Sequence, residues 1–163
     1  MKLIVVAGVC AVALIAGCGG GDSDEGAAPS SKTTEKRISK AEYIQRGDDL
    51  CREFRKTSDP VERQIRETSD PSEQAGLLRR VADAFDRALK GFDALPKPRG
   101  DEDVLTRYLD TARENVVLVR RAADDLDEGK ADEATSLLQN AVDASNKAEG
   151  IAQGYGFKVC GSD

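Results

Sequence analysis

The chain contains no histidine and no tryptophan. Without imidazole there is no Ser-His-Asp or Cys-His catalysis and no His-ligated metal, which removes the common catalytic zinc types. Aromatics are scarce, 3 Tyr and 4 Phe, too few for a platform on which sugars stack. No Gly-x-x-x-x-Gly-Lys-Ser/Thr loop and no Gly-x-Gly-x-x-Gly after a strand offers a phosphate cradle. The 4 cysteines include no Cys-x-x-Cys redox pair. Nor is there an excess of basic residues: the formal charge is −6 at pH 7, which disfavours nucleic acid and anionic headgroups as direct partners. These absences read as a non-enzymatic protein with no cofactor and no metal.

What is present begins at the N-terminus. Lys2 supplies a positive start, and Leu3 to Ala16 an uncharged apolar run. At about 15 residues this run falls short of the roughly 20 that span a bilayer as a helix. It ends in Ile15-Ala16-Gly17-Cys18, a small residue directly before a cysteine. This resembles the bacterial type II signal peptide with its lipobox. The resemblance implies that residues 1–17 are removed and that the Cys18 thiol carries a diacylglyceryl group. More than one acyl chain is what stable anchoring needs. It further implies a protein lipid-anchored to a membrane of the cell envelope, exposed on the extracytoplasmic side. The alternative is an uncleaved anchor helix with an incidental thiol at Cys18.

On that reading Cys10 leaves with the leader and Cys18 is acylated, so Cys51 and Cys160 remain. Export places them where disulfides persist, and two cysteines allow one pairing. Such a bridge closes a loop of about 110 residues, for which chain entropy gives about 4–5 kcal/mol. The alternative is two free buried thiols.

Residues 18–38 read as the lipidated cysteine and a disordered tether. Gly19-Gly20-Gly21-Asp22-Ser23-Asp24-Glu25-Gly26 has nothing to pack. From Ser39 the pattern becomes helical, and residues 39–163 read as a helical-bundle domain. Ser39-Lys40-Ala41-Glu42 is a capping box, followed by Tyr43, Ile44, Leu50, Cys51 and Phe54 at helical spacing, with Gly47 a weak spot among them. Asp59-Pro60 and Asp70-Pro71 each match an N-cap followed by proline. Residues 60–68 are therefore a short extra helix or an extension after a kink. Leu77 to Leu95 forms the clearest apolar stripe, ended by Pro96-Lys97-Pro98. Asp101 or a neighbour opens a third helix and Gly129 closes it. Asp132 caps a fourth, which buries Leu137, Leu138, Ala141, Val142, Ala144, Ala148 and Ile151 and ends near Gly154. No stretch alternates with a period of two. The expectation is all-α: an antiparallel four-helix bundle stapled by one disulfide, with the first and last helices as neighbours.

The lipobox, the Gly-rich tether, Asp48-Asp49-Leu50-Cys51, the Leu95-Pro96-x-Pro98 break and the closing Tyr155-Gly156-Phe157-Lys158-Val159-Cys160 together resemble a group of small helical bacterial lipoproteins of unassigned function. The resemblance implies no activity. Asp124-Asp125-x-Asp127-Glu128 and Asp101-Glu102-Asp103 lack the EF-hand glycine and glutamate and read as solvated acidic faces. Tyr155 and Phe157 either seal the bundle end or form a small recognition surface. The leading expectation is a binding or structural protein with an envelope protein partner. Second is a small-ligand-binding lipoprotein with a pocket between helices, and third an enzyme. A cavity with inward polar groups favours the second; a filled core with one exposed apolar patch favours the first.

Overall fold

The structure, a computed structural model, describes residues 37–162. The leader, the lipobox with Cys18, and the tether up to Lys36 lie outside the described residues. Four helices follow in order: α1 Lys40–Glu67, α2 Pro71–Ala94, α3 Glu102–Asp127 and α4 Ala131–Tyr155. With no strand among the described residues and short connections between helices, the fold is an all-α, antiparallel four-helix bundle.

The helix ends follow local chemistry unevenly. The Ser39 side chain caps α1 by accepting the Glu42 N–H, while the Glu42 carboxylate pairs with Arg46. Asp70 caps α2 through the N–H groups of Ser72 and Glu73. The other two helices start without a side-chain cap. Asp101 precedes α3 without a side-chain cap, because its carboxylate accepts the Tyr155 hydroxyl at 2.8 Å. α4 starts at Ala131, one residue before Asp132, with no side-chain cap. Gly129 and Gly156, both at positive φ, close α3 and α4, so Tyr155 is helical rather than part of the tail.

Residues 60–68 are an extension and not a separate helix: α1 runs through Pro60 to Glu67. Proline here leaves a carbonyl one turn back without its helical donor. Burial of Val61, and packing of Ile65 against a second core cluster, offset that loss. Ile38, which the sequence assigns to the tether, is buried in the main core.

That main core is built around Tyr43, Phe92, Leu105, Leu109, Tyr155 and Phe157. A smaller cluster at the opposite end gathers Ala75, Leu78 and Ala123. Five of the seven aromatics sit in one group, with Phe157 ringed by Tyr43, Phe92, Tyr108 and Tyr155 at 5.3–6.2 Å between centroids. Gly47 is no weak spot there. A Cβ on it would lie 2.4 Å from Phe157 and 2.7 Å from Phe92, so glycine is what lets both rings reach α1. Both core clusters and the disulfide form within residues 38–160, so this segment holds what it needs to fold on its own.

One expectation about packing is not met. α1 packs on α2, α2 on α3 and α3 on α4, but α1 and α4 do not pack along one another. The cause lies in two sequences. The face α4 turns inward is alanine at 134, 141, 144, 148 and 152, all buried. Small side chains draw α4 close to α3, where Asn115 donates to the Ala141 carbonyl at 2.7 Å. Opposite, α1 beyond Phe54 presents Arg55, Ser58, Asp59 and Glu62 where a buried seam would need aliphatics.

Candidate functional site

The gap between α1 and α4 is a groove of about 620 Å³. That volume is in the range of small-molecule sites, about 300–1,000 Å³. On α1 the lining runs from Cys51 to Ile65, and on α4 from Leu138 to Glu149. At 1.5 Å per residue these walls are about 21 and 16 Å long. α2 and α3 form the floor, with Leu78, Val81 and Phe85 from one and Ala112, Asn115 and Val119 from the other. Phe54 reaches across from α1 to stack on Phe85, with centroids 4.8 Å apart. Val142, expected in the core, is 51% exposed and lines the α4 wall instead.

The tail closes one end of the groove. Cys51 and Cys160 are bonded, with Cα atoms 5.3 Å apart, and both line the groove together with Val159. One turn before Cys51, the buried Asp48 carboxylate accepts the backbone N–H groups of Lys158, Val159 and Cys160 at 2.8–3.3 Å. Successive N–H groups pointing at one carboxylate form a nest that Asp48 fills from within the chain. Tyr108, at the junction of groove and aromatic cluster, has its hydroxyl pKa raised well above the usual phenol range. Burial is the main cause, with the nearby Tyr43, Asp48 and Glu149 adding to it.

The walls carry several polar groups. Arg55 is half-buried and forms no ion pair among the described residues. Ser58, Asn115 and Ser145 also face the groove, and Asp59, Glu62 and Glu149 stand along it.

The other candidate residues fall elsewhere. Tyr155 and Phe157 are buried in the aromatic cluster, so they seal the bundle end rather than form a surface. The two acidic runs do not converge. Asp124 and Asp127 both hold Arg79, Glu128 holds Lys130, Glu102 holds Arg37, and Asp101 holds Tyr155. Among the described residues no three His, Cys, Asp or Glu side chains are grouped to hold a metal ion, and no described helix is long and apolar enough to cross a membrane. The sequence reading offers a pocket between helices but does not place it between α1 and α4, which it expects to pack together. The signal for the groove was the polar second half of α1 facing an alanine-rich α4.

Neither a family model, a curated protein nor a solved structure matches this chain.

Proposed function

We propose that this protein is a lipid-anchored, extracytoplasmic binding protein that holds a small amphipathic ligand in the α1–α4 groove. The observation that carries the reading is the groove itself: an apolar floor, walls with inward polar groups, and an end closed by a covalent staple. Ligand sites combine an apolar lining with a few placed polar groups. Of the two leading expectations, this favours the small ligand over the protein partner. A partner helix would need an apolar seam on both walls, and α1 offers one only at Phe54 and Ile65. Anchoring through Cys18 rests on the lipobox and on the apolar run before it. It would keep the bundle within reach of membrane amphiphiles, which the tether presents at high local concentration.

The test is titration of residues 34–163 with the uncharged dye N-phenylnaphthylamine. One saturable site is expected, lost in Val142→Trp, which fills the groove from a position outside the core. No saturable binding, or equal binding by the variant, contradicts the reading. For the anchor, the N-terminal peptide of protein purified from membranes should begin at Cys18 with an acyl mass that Cys18→Ser lacks.

A further inference from the structure

Half-buried arginines in this bundle are neutralised, with one exception. Arg79 holds Asp124 and Asp127, Arg113 holds Asp93 and Asp110, and Arg120 holds Asp83, all at 2.6–2.9 Å. Arg55 is half-buried as they are, lines the groove, and forms no ion pair among the described residues. A guanidinium held by no carboxylate at ion-pair distance keeps N–H donors that a ligand can fill. Resting on the ligand-binding reading above, we propose that the groove's ligand is a single-chain monocarboxylate, a free fatty acid, whose headgroup is held by Arg55.

The placement of the other groups gives the orientation. Arg55 stands one turn beyond Cys51, near the closed end, where Ser145 and Ser162 also line the groove. From there towards Ile65 and Leu138 the floor is Phe85, Val81, Val119 and Leu78. The α1 wall from Arg55 to Ile65 covers about 15 Å, which suits an alkyl chain laid along it. A carboxylate matches the planar fork of arginine with two parallel hydrogen bonds. One guanidinium balances one negative charge. The remaining charged groups on the groove are Asp59, Glu62 and Glu149, which repel a dianionic phosphate about twice as strongly as a monoanionic carboxylate.

The experiment titrates residues 34–163, by calorimetry below micelle-forming concentrations, with laurate, dodecanol, dodecyl phosphate and dodecyltrimethylammonium. Laurate should bind tightest. Arg55→Gln should weaken laurate about tenfold, the loss of one charge-assisted pair, and leave dodecanol unchanged. Arg55→Lys should fall between. Thermal melts of both variants should match the wild type, since Arg55 forms no ion pair among the described residues. Tighter binding of dodecyl phosphate or of the cation overturns the carboxylate assignment, as does an equal loss of laurate and dodecanol in Arg55→Gln. If all four amphiphiles bind alike and Val142→Trp blocks them, the groove reading stands and this inference falls. If none binds, both fall.

Discussion

Asp48 accepts the Val159 N–H at 2.8 Å across a separation of 111 positions, and its neighbour one turn on, Cys51, holds Cys160 covalently. The tail is thus fixed to α1 twice, by a charged acceptor and by a disulfide. The two fastenings close the same end of the groove. Asp48→Asn should lower the unfolding free energy by about 2–3 kcal/mol, the range for hydrogen bonds to a buried charged acceptor. Urea unfolding checks it. A change below half a kcal/mol would mean that the tail is held by the disulfide and the aromatic packing alone.

Reducing the disulfide removes a cross-link spanning 109 residues, so up to about 4–5 kcal/mol is at stake on the chain-entropy account. The far-UV helical signal should persist, because Asp48 and Phe157 still dock the tail. Trypsin reports this directly through the exposed Lys158. The reduced wild type should resist cleavage there, and reduced Asp48→Asn should be cut rapidly. Equal cleavage of both would show that Asp48 does not act as the second fastening.

Two glycines in helices should respond with opposite sign. At Gly76 nothing lies within 4 Å of an added Cβ, so Gly76→Ala should stabilise by about 0.8–1 kcal/mol through helix propensity. At Gly47 the same methyl meets two buried rings at 2.4 and 2.7 Å. Overpacking costs about 1–3 kcal/mol, so Gly47→Ala should be destabilising overall. Melting temperatures of the pair settle the order, and a stabilised Gly47→Ala would show that the rings have room to move.

The Tyr43 hydroxyl is fully buried and has no hydrogen-bond partner among the described residues. Burial first, and then the Asp93 charge, push its pKa up from 10.0 to about 12; Tyr108 and Tyr155 shift the same way. Below about pH 10 both folded and unfolded chains keep these protons. Above it the unfolded chain releases them first, so stability is present below pH 10 and is lost as pH rises towards 12. Melting temperature should therefore be flat near neutrality and fall above about pH 10. Tyr43→Phe removes the orphan hydroxyl and should stabilise by about 1 kcal/mol at pH 7. A loss of stability there would reveal a partner for the hydroxyl.

The helical pattern carried most of the fold because apolar spacing reports a buried face wherever it comes from. Leu77 to Phe92 and Leu105 to Val116 lie where the stripe puts them. What periodicity could not report was the distance between α1 and α4. Val142 lies on the side of α4 beside the buried alanines, with Leu138, Ser145 and Glu149, and faces the groove, because an apolar residue in the pattern does not say how near the opposite helix comes. Gly47 looked like a flaw, since its role depends on Phe92 and Phe157, distant in sequence. Asp132 looks like a cap locally, and Asp101 stands at the start of α3. A tertiary partner, Tyr155, claims Asp101, and α4 begins one residue ahead of Asp132. Arg55 gave no signal at all, because an unpaired arginine is recognisable only once the carboxylates near it are placed.

The account's central claim is that the α1–α4 groove binds an apolar-bodied ligand at a defined site, and methyl NMR of residues 34–163 during a laurate titration tests it most directly. Val81, Val119, Leu138 and Val142 line the groove, whereas Val117 is 54% exposed and lies outside it. The groove methyls should shift together and saturate at one equivalent, with Val117 unmoved. Unsaturating shifts that include Val117 equally, or no shifts at the groove, would contradict the claim.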